Sequence, residues 1–207
     1  MPKFPEPPPP DQLATIPAAT ALWTTSTLVW RVYFQGGPFP SRWDELRTFG
    51  PTGSRFDHHL PPPSVQDRGI LYAARHGPTC IAEVFQDTRT IDRRSRTPWL
   101  VGFRLARDVT LLDLTGAWPT VAGASTAIHS GPRACARRWS QAIYAVYPHV
   151  EGILYCSSMD ASRPALALFE RARPALPRSP EFHRSLDDVL MRSVVDAAAQ
   201  RFAYAVV

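Results

Sequence analysis

The chain contains a single lysine, Lys3, and only three cysteines among its 207 residues. Its formal net charge is nevertheless +5, so arginine supplies nearly all of the positive charge. A guanidinium group presents a planar fork of donors that pairs with phosphate or carboxylate, and such a surface favours anionic partners. Arginine codons are also frequent in GC-rich genomes, which explains the bias without any function. The composition therefore does not identify a ligand by itself.

The three cysteines, Cys80, Cys135 and Cys156, are too few and too scattered for a disulfide framework or a C-x-x-C metal site. Each has apolar neighbours, so we expect buried free thiols in a reducing compartment. No apolar stretch follows a basic start, and no secretory signal is expected. The longest uncharged run, residues 114–132, is interrupted by Gly, Pro, Ser and Thr and does not resemble a membrane span. These features predict a cytoplasmic protein without membrane association.

Several common functional motifs are absent. The sequence has neither G-x-G-x-x-G nor G-x-x-x-x-G-K-[ST], which argues against the common dinucleotide fold and against a P-loop. It also lacks G-x-S-x-G and H-E-x-x-H, the motifs of esterases and zinc proteases. Asp57, His58 and His59 are candidate metal ligands, but adjacent histidines point in different directions and no clear third ligand follows. No metal site is predicted.

The length fits one folded domain. Residues 1–20 contain Phe4-Pro5-Glu6-Pro7-Pro8-Pro9-Pro10, a polyproline-type composition that predicts a flexible tail outside the core. The folded domain is predicted to span residues 21–207. Its strands are predicted at 27–34, in the first part of 69–85, and at 99–105, 109–114, 151–158 and 202–207. Its helices are predicted at 42–46, in the second part of 69–85, and at 133–146 and 187–201. Strands and helices are mixed without a regular βα alternation, which favours a single-domain α+β fold.

One predicted strand carries a cation in apolar surroundings. Its alternation separates Leu28, Trp30, Val32 and Phe34 on one face from Val29, Arg31 and Tyr33 on the other. Burying Arg31 without a partner would be costly, so it requires an internal carboxylate, a solvated face of the sheet or an anionic ligand.

A second segment, residues 68–85, is predicted to be a buried strand, a Gly-Pro turn and a helix. Tyr72 at the end of the strand and Glu83 in the helix can face one cleft, and Arg55 lies upstream in a Gly-containing loop. Taken singly, core packing explains Tyr72 and solvated positions explain Glu83 and Arg55. Together these residue types suit a substrate that is anionic at one end and loses a leaving group at the other.

The whole set resembles the RES domain, over about residues 26–206. The resemblance rests on Trp30-Arg31-Val32-Tyr33, on Gly53-Ser54-Arg55-Phe56-Asp57, on Ile70-Leu71-Tyr72-Ala73 with Glu83 eleven residues later, and on Gly152-Ile153-Leu154-Tyr155-Cys156-Ser157-Ser158. Phe56 stands where the family often has tryptophan. The spacing from tyrosine to glutamate and the order of the elements are the specific part of the match.

The resemblance implies an ADP-ribosyltransferase-like mixed sheet flanked by helices. It also implies the toxin of a toxin–antitoxin pair, with an Xre-type antitoxin as partner and NAD⁺ as substrate. It assigns a catalytic site to Glu83, Arg31 and Tyr72, and substrate contacts to Arg55 and Tyr33. Ser130 and Ser157 are both candidates for the site serine, with Ser130 slightly preferred.

The chemistry implied by the resemblance suits these residue types. Cleavage of the nicotinamide–ribose bond builds positive charge on the ribose, which a carboxylate such as Glu83 stabilises. Arg31 and Arg55 are expected to hold the pyrophosphate, and Tyr72 to contact nicotinamide or ribose. No cofactor or metal is expected beyond the NAD⁺ substrate, with inorganic phosphate as a candidate co-substrate.

Two other functions remain open. The first is a protein ADP-ribosyltransferase, which differs from the NAD⁺-degrading enzyme only in its acceptor. The second is a basic module that binds nucleic acid or an acidic protein. The arginines are spread along the chain rather than clustered with exposed aromatic residues, so direct nucleic-acid binding is not expected.

Overall fold

The computed structural model describes residues 3–160 and 163–207. Within these ranges nine strands form one mixed sheet, and a further two strands form a small parallel pair. The strands are β1 (Thr20–Trp23), β2 (Leu28–Phe34), β3 (Arg47–Gly50), β4 (Ser64–Ala74), β5 (Thr90–Ile91), β6 (Pro98–Arg104), β7 (Val109–Asp113), β8 (Gly152–Cys156), β9 (Pro164–Phe169), β10 (Phe182–Ser185) and β11 (Ala205–Val206). The α-helices are α1 (Pro10–Ala14), α2 (Gly77–Val84), α3 (Trp118–Val121), α4 (Arg133–Val146) and α5 (Arg192–Phe202). Short 3₁₀ helices occupy Thr126–His129, Glu170–Ala175 and Val189–Met191.

The strand order of the main sheet is β1-β7-β8-β9-β4-β2-β6-β10, with β3 paired to β4 beside this path. β7 and β8 run parallel, whereas β4 is antiparallel to both of its central neighbours, β9 and β2. The sequence of β9 is almost entirely apolar because this central strand is buried on both faces of the sheet. The predicted α+β architecture with a mixed sheet and flanking helices is confirmed.

The two faces of the sheet have different coverings. We call the face that packs against α2, α4 and α5 the helical face; it includes Val32 of β2 and Ile70 of β4. The opposite face, which we call the second face, includes Val29 and Tyr33 of β2 and packs against Leu46 and the 3₁₀ helix at Glu170–Ala175. The alternation predicted for β2 is therefore confirmed, and each side chain of this strand can be assigned to one face.

Two local predictions are wrong. No helix forms at residues 42–46, because the Ser41 hydroxyl donates to the carbonyl of Phe34 at 3.2 Å and the segment turns back toward β3. The C-terminal strand predicted at 202–207 is limited to β11, because Ala203 adopts a left-handed conformation (φ 53°) that ends α5 at Phe202.

The predicted flexible tail is also wrong for the described residues 3–20. Leu13 of α1 is fully buried in the core of the helical face. The Tyr147 hydroxyl, at the end of α4, donates to the carbonyl oxygens of Leu13 (3.0 Å) and Ile16 (2.8 Å). Trp118 donates its indole N–H to the carbonyl of Pro17 at 3.0 Å. The segment is held by buried apolar contacts and by donors from two helices, which composition alone does not reveal.

Residues 1 and 2 of the predicted tail lie outside the described ranges. No helix in the part of the chain that the structure describes is long and apolar enough to cross a membrane.

Candidate active site

A cavity of about 520 Å³ opens on the helical face, within the range of about 300–1,000 Å³ that is usual for ligand sites. The loop between β3 and β4, the end of α2, the start of α4 and the loop before β6 surround it. Its described lining consists of Phe34, Thr52, Gly53, Ser54, Arg55, Tyr72, Glu83, Val84, Gln86, Asp87, Arg96, His129, Arg133, Tyr155 and Ser158.

Glu83 is the carboxylate at the centre of this arrangement. It lies in the last turn of α2, whose residues Ile81 and Ala82 are fully buried and fix the helix against the sheet. The Ser157 hydroxyl donates to Glu83 Oε1 at 2.5 Å. The Gln86 amide donates to the Glu83 carbonyl oxygen at 2.6 Å and approaches Oε2 at 3.4 Å. Both carboxylate oxygens therefore have a neighbouring donor that limits their orientation.

Ser157 is itself held in place by the backbone that follows β8. Its oxygen accepts hydrogen bonds from the N–H groups of Met159 (3.1 Å) and Asp160 (3.2 Å). Ser130 is exposed after the 3₁₀ helix at Thr126–His129 and does not line the cavity. The slight preference for Ser130 is corrected, because the end of a central strand brings Ser157, and not Ser130, to Glu83.

Arginines also line the cavity, and two of them, Arg55 and Arg133, interact with each other. Arg55 Nη1 donates to the carbonyl of Gly131 at 2.6 Å, and Arg133 Nη2 donates to Gln86 Oε1 at 2.9 Å. Burial and the neighbouring Arg133 lower the pKa of Arg55, while Glu83 opposes this shift. Two guanidinium groups that interact with each other in one cavity favour an anion between them.

The loop that carries Arg55 is anchored by Asp57, which is fully buried. Its carboxylate accepts from the Thr52 N–H (2.6 Å), the Thr52 hydroxyl (2.8 Å), Arg47 Nη2 (2.9 Å) and His59 Nδ1 (2.5 Å). Burial alone would raise the pKa of Asp57, but these hydrogen bonds lower it well below its ordinary value. The Asp57 and His59 side chains thus bind each other and the loop. No group of three potential metal ligands is present in the described residues.

Tyr72 presents a hydroxyl to the site. This hydroxyl is buried and makes no hydrogen bond within the described residues, although it lies near Ser54. Burial raises the pKa of Tyr72 well above its ordinary value, so the group stays protonated and is able to donate. A buried polar group without a partner costs about 1–3 kcal/mol, and a ligand that accepts from it recovers this energy. Tyr72 therefore lies where the sequence predicts it, in the cleft with Glu83.

His129 is unsuited to acid–base chemistry in this state. Its Nε2 lies 3.1 Å from the carbonyl of Leu114, and its Nδ1 accepts from the N–H of Cys156 at 3.3 Å. This pattern defines the neutral tautomer with the proton on Nε2, and burial lowers the pKa of the ring. The histidine therefore supports the cavity wall.

Arg31 and Tyr33 lie on the second face, away from the cavity, so their predicted position in the cleft is corrected. Arg31 donates to the carbonyl of Glu45 at 3.2 Å. The Tyr33 hydroxyl lies 2.5 Å from His183 Nε2 and accepts from Gln35 at 2.7 Å. The alternation of β2 explains this placement, because the side chains that share a face with Tyr72 are those of Trp30, Val32 and Phe34.

Several lining residues were not predicted from the sequence, among them Gln86, Arg96, His129 and Arg133. Arg133 follows Gly131-Pro132 at the start of a predicted helix, and this position was a usable signal. No sequence signal indicates that Arg96 lines the cavity. Its backbone adopts a left-handed conformation (φ 60°), and its guanidinium lies 4.0 Å from the centre of the Phe34 ring.

The geometry defines a class of protein: a single α+β domain whose mixed sheet carries a cavity lined by the Glu83 carboxylate, by arginines and by Tyr72. The model of the RES domain matches residues 28–192, and the chain belongs to this family. No curated protein sequence matches the chain. A chain in the crystal structure of the M. tuberculosis MbcT–MbcA toxin–antitoxin complex has a similar fold, with a TM-score of 0.56 and 16% identity. The alignment covers 89% of this chain and 94% of that chain.

Proposed function

We propose that this protein degrades NAD⁺ by cleaving the bond between nicotinamide and ribose. The observation that carries the proposal is the Glu83 carboxylate, which Ser157 and Gln86 orient in a cavity that also contains Arg55 and Arg133. Membership of the RES family and the agreement of the Tyr72–Glu83 pair with the family pattern support the choice of substrate.

Each part of the site has a role in this reaction. Arg55 and Arg133 bind the pyrophosphate with charge-assisted hydrogen bonds, which contribute about 1.5–3 kcal/mol each. Tyr72 donates to the ribose or packs against nicotinamide. Glu83 lies below the sugar and stabilises the positive charge that develops at its anomeric carbon.

The bond changes balance without an external acid. The C–N bond breaks, and its electron pair returns to the pyridinium ring, which leaves as neutral nicotinamide. Water or inorganic phosphate then adds to the ribose. In hydrolysis one proton is released to solvent, and the product is ADP-ribose; in phosphorolysis the product is ADP-ribose 1″-phosphate.

We also propose that the protein is the toxin of a toxin–antitoxin pair and that an Xre-type protein binds and inhibits it. The support is family membership together with the similar fold in the MbcT–MbcA complex. Co-purification with the product of an adjacent gene, and recovery of growth when that product is expressed, test this part. Toxicity that the neighbouring protein does not relieve would argue against it.

The decisive experiment incubates the purified protein with NAD⁺ in phosphate buffer and in phosphate-free buffer and separates the products by chromatography. Nicotinamide with ADP-ribose identifies hydrolysis, and ADP-ribose 1″-phosphate identifies phosphorolysis. Labelled ADP-ribose on a protein would instead identify a transferase. Intact NAD⁺ under all conditions would refute the proposal.

The matched variants are Glu83→Gln and Glu181→Gln. Glu83→Gln keeps the size and a hydrogen-bonding oxygen but removes the charge, so NAD⁺ cleavage should fall by about 100-fold or more. Glu181 forms an exposed ion pair with Arg104, and its substitution should leave the rate unchanged. Equal activity of the two variants would remove Glu83 from the mechanism.

A further inference from the structure

Residues 3–6, which we call the N-terminal clamp, contact both segments that flank the Gly131 turn. On one side, the Ser125 hydroxyl donates to the carbonyl of Lys3 and accepts from the N–H of Ala127, in the 3₁₀ helix that ends at His129. The clamp lies outside residues 28–192, the part of the chain that matches the family model.

On the other side, the clamp binds the first turns of α4. The Trp139 indole N–H donates to the carbonyl of Pro5 at 2.9 Å, and Cys135 Sγ lies 3.4 Å from the same oxygen. Glu6 accepts two hydrogen bonds from the guanidinium of Arg138. One short segment therefore contacts three positions in the first two turns of this helix.

The turn between these two segments is part of the cavity wall. Arg55 donates to the Gly131 carbonyl, and Arg133 follows two residues later. A side-chain carbon added at Gly131 would lie 3.1 Å from Phe4 Cδ1 and 2.7 Å from the Ala127 oxygen. The turn is thus packed tightly between Phe4 and the preceding 3₁₀ helix, and a shift of Phe4 would move the acceptor on which Arg55 depends.

The clamp is ordered at low entropic cost because of its own sequence. Prolines occupy positions 5 and 7–10, and Pro9 adopts polyproline-type angles (φ −51°, ψ 149°). A chain that is already stiff when unfolded loses little conformational freedom when it docks. The proline run, which predicts a flexible tail, instead forms a stiff connection between the N-terminal clamp and α1.

We propose that the N-terminal clamp positions Arg55 and Arg133, and thereby sets the affinity of the cavity for the pyrophosphate of its substrate. Phe4 and Glu6 are positioning residues: they act through the Gly131 turn and through α4. The affinity readout rests on the proposed function, whereas the coupling between the clamp and the turn does not.

The test compares Phe4→Ala and Glu6→Gln with the wild-type chain. Both should raise KM for NAD⁺ about fivefold or more and leave kcat within about twofold, because the pyrophosphate is held equally in the ground and transition states. Amide hydrogen exchange should accelerate at residues 129–135 and at residues 52–57, the loop that carries Arg55. The exchanged pair Glu6→Arg with Arg138→Glu should restore both readouts toward wild type.

Glu181→Gln is the control, since it removes an ion pair of comparable exposure at the other end of the sheet. It should change neither KM nor exchange in these two segments. An unchanged exchange rate at residues 52–57 in Phe4→Ala would overturn the inference, whatever the activity. Faster exchange with an unchanged KM would overturn the link to affinity. A wild-type chain that leaves NAD⁺ intact would refute the proposed function, and the exchange data would still decide the coupling.

Discussion

Replacing Ser157 by alanine should slow NAD⁺ cleavage while the protein remains folded. The substitution removes the hydroxyl that donates to Glu83 Oε1 at 2.5 Å and leaves this oxygen free to turn away from the sugar. A hydrogen bond to a charged group contributes about 1.5–3 kcal/mol, and about 1.4 kcal/mol corresponds to a tenfold change in rate. If the transition state depends fully on this orientation, kcat should decrease by about 10- to 150-fold.

The same substitution has a separate effect on stability. The N–H groups of Met159 and Asp160 lose their acceptor, which should lower the free energy of unfolding by about 1–2 kcal/mol. Urea denaturation measures this change, and kinetics are recorded well below the transition. The loss of activity can then be separated from any loss of folded protein.

Ser130→Ala is the matched comparison for this prediction. Ser130 is exposed and outside the cavity lining, so its substitution should leave kcat and KM within about twofold of wild type, as is usual for surface sites. An unchanged kcat in Ser157→Ala, or an equal decrease in the two variants, would refute the assignment of Ser157 as the residue that orients Glu83.

Three further predictions follow from the contacts. Arg31→Ala should lower the free energy of unfolding by about 1–3 kcal/mol in urea denaturation, because Arg31 donates to the Glu45 carbonyl on the second face. It should change KM for NAD⁺ less than Arg55→Ala does. Abolished turnover in a fully stable Arg31→Ala variant would contradict this prediction. Arg55→Lys should raise KM for NAD⁺ about tenfold with little change in kcat in steady-state assays, because a lysine cannot reproduce the planar pair of donors of a guanidinium group. An unchanged KM would show that Arg55 does not bind the substrate. Although burial opposes it, hydrogen bonds from His58, the Gly69 N–H and Tyr144 lower the pKa of Glu170 to about 2. Its contribution to stability, about 3 kcal/mol, should be present above about pH 5 and disappear as the pH falls to about 2, and Glu170→Gln should weaken this dependence in pH-resolved denaturation.

The strands that form the site were predictable because their patterns are local. The alternation in β2 and the apolar run before Gly77-Pro78 determine which residues share a face, and the structure has Tyr72 and Glu83 at one cavity as expected. The same alternation already separated Arg31 from Phe34. The sequence did not indicate which face of the sheet carries the cavity, because this depends on where α2, α4 and α5 pack.

The misplaced residues depend on long-range packing. Ser157 lies at the end of the strand predicted at 151–158 and Ser130 just before the helix predicted at 133–146, so both were plausible. Only the pairing of β8 with β9 and β7 brings Ser157 to α2. The flexible tail was wrongly predicted because proline-rich composition is typical of exposed chains, whereas Leu13 is buried in the core shared with α4. Arg96 enters the lining through a left-handed backbone that no propensity indicates.

The ring of His129, with both nitrogens engaged by backbone groups, has a consequence for the choice of substrate in the proposed reaction. Its one ring proton is held by the Leu114 carbonyl, and the raised pKa of Tyr72 makes that hydroxyl a weak acid, so the proposed cleavage depends on a leaving group that already carries positive charge. The oxidised coenzyme has such a group, whereas the dihydropyridine of NADH is neutral. If the proposed function holds, the site would therefore cleave the oxidised coenzyme and leave NADH intact.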